Sequence, residues 1–350
     1  MTKVYVGMSG GVDSSLTAAL LKEQGYDVTG VYMKNWTQDL PGMRCPWADD
    51  LADAKRVAVQ LDIDFKVFDF ENEYKHKVVD YMIEEYKLGR TPNPDIMCNQ
   101  EVKFKLFLEA AMEDGADLIA TGHYARVHNG VLQQAKDTKK DQTYFLYRVT
   151  KAALEKTLFP LGDYEKTEVR AMAEARGLFT ARKKDSQGIC FVGQIGMREF
   201  LSQYVDQLPG NIIDTATGQV LGRHDGAIFY TLGQRHGLDV GGGLPYYVVG
   251  KDMEKNEVYV TTNLNDQHLW LSSISLGSLH WIAGRQPNKD EVTIRVRHRG
   301  TLISAKIEGN GTEATLTLEH PERAVTAGQS MVIYDGQDCL GGGIVQAVPA

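Results

Sequence analysis

Cysteine is scarce in this 350-residue chain: four occur, Cys45, Cys98, Cys190 and Cys339, and no two form a CxxC pair. That spacing excludes a zinc ribbon and a thioredoxin-like redox motif, and no protein-bound structural metal is expected. Long apolar runs are also missing, since no stretch approaches the roughly 20 uninterrupted residues that cross a bilayer. The sequence runs directly into Lys3-Val4-Tyr5-Val6-Gly7, a strand pattern, so no signal or transit peptide is expected and the cytoplasm is the expected setting. A reducing compartment disfavours structural disulfides, which leaves buried packing or thiol chemistry as the two readings of each cysteine. There is no basic excess: 38 Lys and Arg stand against 46 Asp and Glu, for a net charge of −8. Any contact with nucleic acid must therefore come from a local patch. No internal repeat or low-complexity segment stands out, and the length suits two or three globular domains.

What is present divides into two patterns. In the first half, short apolar strands at Val4–Met8, Val28–Met33, Phe65–Phe68 and Leu118–Ala120 alternate with helical periodicities at Ser14–Gln24, Asp49–Leu61, Tyr74–Lys87 and Glu101–Met112. Strands alternating with helices predict βαβ units and a parallel sheet covered on both faces. In Glu101–Met112, Val102, Leu106 and Ala110 recur every four residues beside Phe107 and Ala111, one apolar stripe. From about Pro209, turn signals such as Thr217-Gly218, Gly241-Gly242-Gly243 and Gly309-Asn310-Gly311 separate short alternating stretches, Val292–Arg299 and Ala314–Leu318 among them. The expected architecture is an α/β catalytic domain over 1–208, a small β-rich domain over 209–272 and a β-barrel-like domain over 273–350.

The strongest local signal is Gly7-Met8-Ser9-Gly10-Gly11-Val12-Asp13-Ser14-Ser15, which leaves the first strand and opens the first helix. Glycines 10 and 11 let the backbone approach an anion, and serine hydroxyls with the N–H groups of a helix start hold phosphate oxygens. It is neither a Walker loop, because no Gly-Lys-Ser/Thr follows, nor GxGxxG. Either Ser9 or Asp13 would serve as an N-cap. The string resembles the pyrophosphate loop of the ATP pyrophosphatase superfamily, which cleaves ATP between its α- and β-phosphates and adenylates a substrate oxygen.

Two cysteines stand in settings that favour reaction. In Gly89-Arg90-Thr91-Pro92-Asn93-Pro94-Asp95-Ile96-Met97-Cys98-Asn99, two prolines stiffen a loop that delivers Cys98 to a helix start, with Asn99 as the expected N-cap. A helix N-terminus favours thiolate, and Asp95 is placed for proton transfer. In Lys183-Lys184-Asp185-Ser186-Gln187-Gly188-Ile189-Cys190-Phe191, the cations at 182–184 raise the local potential and Gly188 permits close approach. Core packing remains the alternative for both thiols.

The motifs GMSGGVDSS, GRTPNPDIMCN, ATGHYAR, KDQTYFLYR, KKDSQGICF, YTLGQRHGL and GQSMVIYDGQDCLGGG follow one another from residue 7 to about 343. In that order they resemble the signature of the tRNA-specific 2-thiouridylases. The resemblance implies an ATP-dependent sulfurtransferase that acts on the wobble uridine. It implies Cys98 as the catalytic thiol, Cys190 as the persulfide carrier and Asp95 as the acid or base. It also implies ATP, with Mg²⁺, on Gly7, Met8, Ser9, Gly10, Gly11, Val12, Asp13 and Ser14, with Met33 and Gly122 nearby. The target base falls to Asn93, Pro94 and Asp95, and tRNA contact to His123, Lys140, Asp141, Gln142, His298, Arg299 and Gln329. A sulfur-donor protein, either a cysteine desulfurase or a relay, is the implied partner. One departure is Gln187, where the family often has Thr. Cys45 and Cys339 match no reactive position.

Local cationic patches are candidates for phosphate. Strand alternation over Thr293–Arg299 predicts Arg295, Arg297 and Arg299 on one face. Lys136, Lys139 and Lys140 form a second patch and Arg182–Lys184 a third. Two other classes share the ATP loop. A ligase or amidotransferase would use an amine nucleophile and need neither cysteine, and a nucleotide-sensing RNA-binding protein would bind ATP without releasing pyrophosphate. Formation of 4-thiouridine is disfavoured because no further RNA-binding region is expected ahead of the loop.

Overall fold

The computed structural model describes residues 1–39, 45–185, 196–241, 243–309 and 311–346. Gly188 and Cys190, with Gly242 and Asn310 of the expected turns, lie outside the described residues. The first half contains β1 (Lys3–Gly7), β2 (Asp27–Lys34), β3 (Asp64–Asp69), β4 (Leu118–Ala120), β5 (Arg126–His128), β6 (Val131–Gln133) and β7 (Thr157–Leu158). Five of these form one sheet in the order β3-β2-β1-β4-β7, parallel throughout. Val4, Tyr5 and Val6 of the central strand are 0% exposed, as a strand covered on both faces requires. The fifth strand has only two residues, too short to announce itself as a pattern.

Helix α1 (Val12–Glu23) and helix α2 (Trp47–Leu61) follow the first two strands. The fourth predicted helix is longer than its apolar stripe suggests. It runs unbroken over 94–113, through Pro94–Met97, a π-wound stretch at Cys98–Leu106, and Phe107–Glu113. The wider i→i+5 winding turns the buried face, so that Val102, Phe104, Phe107 and Ala111 are buried while Leu106 and Ala110 only pack against the core.

The second half is mainly β, with short 3-10 turns at Ala227–Phe229 and Gln267–Leu269. A four-stranded sheet, β10-β11-β8-β9, is built from β8 (Gly210–Asp214), β9 (Val220–His224), β10 (Tyr247–Asp252) and β11 (Glu257–Thr261). Next come β12 (Trp270–Trp281), β13 (Glu291–Arg295), β14 (Ile303–Gly309), β15 (Ala314–Arg323), β16 (Ser330–Asp335) and β17 (Asp338–Val345). Strand β12 pairs with both β15 and β17, which closes these six strands into a barrel around Ile274, Leu276, Ile294, Ile307, Leu316, Met331 and Ile333. The β5–β6 hairpin of the first half adds to the barrel sheet through β17, with Leu132 opposite Cys339. Among the described residues no helix is long and apolar enough to cross a membrane.

A buried ion pair reinforces that junction and alters one expectation. Strand β13 ends at Arg295, whose Nη1 donates to Asp141 Oδ2 at 2.5 Å; their side chains are 9% and 0% exposed. Asp141 also accepts from the Ala135 N–H at 3.1 Å and the Thr143 hydroxyl at 2.9 Å, and the Arg295 guanidinium lies over the Tyr334 ring. Beyond the strand, Arg297 pairs with Glu322 at 2.9 Å and Arg299 turns away at φ 62°. The expected row of three guanidiniums on one face is therefore not formed, because the alternation stops before Arg297. Breaking one partner of a buried pair leaves an uncompensated charge, so Arg295→Met is expected to cost about 3–5 kcal/mol in chemical denaturation. Adding Asp141→Asn should recover most of that loss.

Candidate active site

The loop between β1 and α1 opens at the carboxyl ends of the parallel strands, where the order reverses between β2 and β4. Open α/β sheets bind ligands at that position. Gly11, in extended conformation, is the N-cap of α1, and no side chain caps the helix. The expected caps, Ser9 and Asp13, do other things. The Ser14 hydroxyl accepts the Ser9 N–H at 3.1 Å and lies 3.3 Å from the Ser9 hydroxyl. The helix start, with two hydroxyls beside it, is the kind of position that favours anions. Gly10 has φ 72°, and a Cβ there would run into the Asp50 carbonyl at the start of α2. Gly122, just past β4, passes so close that a Cβ would sit 2.9 Å from Ser14 N. Met33 Cε lies 3.0 Å from where a Gly7 Cβ would be. The structure thus gathers Gly7–Ser14, Met33 and Gly122 from three strand ends.

Behind the loop is a charge network between residues far apart in the chain, which no local spacing pattern reveals. Asp13 is held by Lys166 Nζ at 2.6 and 2.7 Å and by the Tyr124 hydroxyl at 2.9 Å. Lys166 also meets Asp185 at 3.0 Å, and Asp185 pairs with Lys140 at 2.7 Å and Arg170 at 2.6 Å. Burial alone would raise the Asp185 carboxyl, but its bonds to Lys140 and Lys166 pull it down to about 2. Burial and the neighbouring Asp13 push the Tyr124 hydroxyl well up. Asp13 and Lys166 are 153 residues apart, beyond any spacing rule. The cationic patch at 182–184 is largely spent internally: Lys183 bridges Asp50 and Asp53 at 2.8 Å each, and Arg182 pairs with Glu174.

The second group of residues is built on helix 94–113. Pro94 occupies N1, and the N-cap is Asn93, whose side-chain oxygen accepts the N–H groups of Asp95 at 3.1 Å and Ile96 at 3.3 Å. The expected cap, Asn99, lies inside the helix instead and donates to the Phe145 carbonyl at 3.2 Å. Proline at N1 explains the shift: its fixed φ starts a helix, so the chain turns helical four residues before Cys98. Asp95 falls in the first turn and Cys98 in the second, where it is buried. Burial raises the Asp95 carboxyl above its usual range, with Lys103 opposing.

The residues expected to touch tRNA fall into two sets. His123 is buried against Phe104 and Phe159, bonded to the Thr121 hydroxyl at 2.8 Å, and burial holds its imidazole well below the usual range. Asp141 is the buried ion-pair partner described above. The others keep access to solvent. Lys140 pairs with Asp185, and the Gln142 side-chain oxygen accepts the Tyr124 N–H at 2.9 Å. Gln329 accepts the Thr326 N–H at 3.1 Å, and Arg299 is exposed. His298 packs on Phe145 with ring centroids 4.5 Å apart, bringing it beside Lys140–Gln142 in the fold. Cys45 and Cys339 are buried with thiols pushed up by burial, which makes both poor nucleophiles.

Burial and then Arg299 lower the His298 imidazole to about 4. A histidine neutral in the fold and ordinary when unfolded contributes its stability above about pH 6.5, and that stability is lost as the pH falls towards 4. His298→Phe is therefore expected to gain in melting temperature relative to the parent between pH 7 and pH 4.5, checked by thermal unfolding across that range.

Comparison with known proteins finds three domain models in succession along the chain. Residues 2–194 match the tRNA methyl transferase HUP domain, 198–262 the tRNA methyl transferase PRC-barrel domain and 271–345 the aminomethyltransferase beta-barrel domain. A tRNA-specific 2-thiouridylase MnmA of Enterococcus faecalis is 48% identical over 98% of this chain and 95% of its own length. That of Bacillus subtilis is 46% identical over 99% and 95%. A 4-thiouridine synthetase–RNA complex is more distant, 17% identical over 58% of this chain and 50% of that one, with a TM-score of 0.40, and adds nothing to the assignment. With full-length identity at this level and all three domain models in sequence, the chain belongs to the tRNA-specific 2-thiouridylase family.

Proposed function

We propose that this chain catalyses ATP-dependent 2-thiolation of the wobble uridine of tRNA in the cytoplasm, with modules spanning 1–208, 209–272 and 273–350. The observation that carries the reading is full-length likeness to proteins named for 2-thiouridine formation, in a chain whose glycine loop and capped Asp95–Cys98 turn supply the parts such chemistry needs. ATP lies on Gly7–Ser14 with its phosphates towards the start of α1, and Met33 and Gly122 line the nucleotide. Mg²⁺ would accompany the triphosphate and offset its negative charge. The uridine leaves the stack, as enzymes acting on a base require, and rests against Asn93, Pro94 and Asp95. Its C2 oxygen attacks the α-phosphate, releasing pyrophosphate and turning a poor leaving group into AMP, with Asp95 handling the proton.

Sulfur arrives as a persulfide on Cys190, loaded by a cysteine desulfurase or relay protein. Its terminal sulfur bonds to C2 as AMP departs. The Cys98 thiolate then attacks the Cys190 sulfur, breaking the S–S bond and leaving the thiocarbonyl on the base. The two electrons that reduce the transferred sulfur come from the two cysteines, which end as a disulfide that an external thiol reopens. Lys140, Gln142, His298, Arg299 and Gln329 contact tRNA directly, while buried His123 and Asp141 hold their neighbours in place.

Single-turnover transfer of labelled sulfur to unmodified tRNA, with ATP and a cysteine desulfurase, tests the scheme. Nucleoside analysis should show 2-thiouridine with the parent protein and ATP, and at least about a 10³-fold slower rate with Cys98→Ser or Cys190→Ser, as loss of a covalent catalyst implies. Full thiolation by Cys190→Ser contradicts the relay. A methylated base formed without ATP cleavage would favour the activity named in the domain descriptions instead.

A further inference from the structure

The segment that leads into the reactive turn is touched from both sides by the β modules. Helix 71–87 ends with Gly89 at φ 77°, and Arg90 folds back onto Glu85, its Nε 2.6 Å from Oε2. Gly89 lies under the central module: a Cβ there would be 2.7 Å from Met253 Cγ and 3.5 Å from Lys251 Cε. Lys251 in turn donates to the Tyr230 carbonyl at 2.8 Å. Two residues on, the Thr91 N–H donates to the Ala327 carbonyl of the barrel at 2.8 Å. Gly328 follows at φ 87°, so close that a Cβ would sit 2.8 Å from both Arg90 Cβ and Thr91 N.

The barrel loop that makes these contacts reaches all three modules. Ala324 lies against Gly233 of the central module, and the Arg323 guanidinium lies 4.9 Å over the Tyr247 ring. Between Thr91 and Asp95 the chain has little freedom, because Pro92 and Pro94 fix φ and Asn93 is committed to capping. A shift at Thr91 is carried onward to the turn bearing Asp95 and Cys98.

We infer that Gly328 of the barrel and Met253 of the central module are positioning residues for the reaction, gripping Gly89–Thr91 so that Asp95 and Cys98 meet the base in register. The inference rests on the thiolation reading above. It assigns the β modules a part in the chemical step as well as in RNA contact: the loop that carries Gln329 also sets the entry to the reactive turn.

Gly328→Ala tests this, with Gly284→Ala as its control. Gly284 has φ 74° and, among the described residues, nothing within 4 Å of a Cβ, so its alanine brings similar backbone strain without a collision. A displacement of about 1 Å at a reacting centre costs up to roughly 100-fold, so kcat for 2-thiouridine formation by Gly328→Ala should fall about tenfold or more. KM for tRNA and ATP should stay within about threefold and the melting temperatures of the two variants should be similar, as expected where only the transition state loses stabilisation. Equal kcat in the two alanine variants, or a loss confined to KM, overturns the inference. If Gly328→Ala does not fold, Met253→Ala decides: kcat lowered about threefold or more at unchanged KM supports positioning, and parental kcat overturns it. Absence of 2-thiouridine from the parent protein as well removes the thiolation reading and the inference with it.

Discussion

The Asn93 cap is the contact on which the reactive site depends. Its side-chain oxygen takes up the N–H groups of Asp95 and Ile96, which fixes where helix 94–113 begins and therefore which residues occupy its first two turns. A start one residue later would rotate Asp95 and Cys98 by about 100° around the axis. Losing a cap of this type costs roughly 0.5–2 kcal/mol, modest for a protein of this size but decisive for the orientation of two side chains. Everything around the turn holds that start in place: Pro94 at N1, the bonding of Arg90 to Glu85, and the Ala327 carbonyl on Thr91.

The glycine loop places a helix start of the kind that favours anions at the carboxyl ends of the parallel strands. Among the described residues it leaves a helix start without a side-chain cap, and the Asp13 carboxylate in its first turn is paired with Lys166. An unpaired Asp13 would repel phosphate at that position. The pair removes the repulsion, and the bonds among Lys166, Asp185, Lys140 and Arg170 tie the back of the nucleotide loop to residues that lie far along the chain.

The local parts of this design were legible in the sequence. The parallel sheet followed from apolar strands alternating with helices, and the nucleotide loop from glycines between a strand and a helix. The proline-stiffened approach marked Cys98 as a candidate thiol with core packing as the alternative, and the structure buries it. What escaped was set by contacts across the chain or by competition among neighbours. Asp13–Lys166 and Asp141–Arg295 join distant segments, so Arg295 looked like a surface cation and is instead a buried partner of the first half. Asn99 looked like the helix cap, but Pro94 had already started the helix behind Asn93. The π-wound stretch at Cys98–Leu106 moved the apolar stripe off Leu106 and Ala110 because a period of four assumes i→i+4 bonding. The β5–β6 hairpin joined the barrel although sequence order places it in the catalytic half.

The most direct test of the two-cysteine account is a quenched single turnover without reductant, followed by alkylation and non-reducing peptide mapping. Protein loaded with persulfide and mixed with ATP and unmodified tRNA is predicted to accumulate one Cys98–Cys190 disulfide for each 2-thiouridine formed, and none when ATP is withheld. Formation of 2-thiouridine with both thiols still open to alkylation would contradict the account.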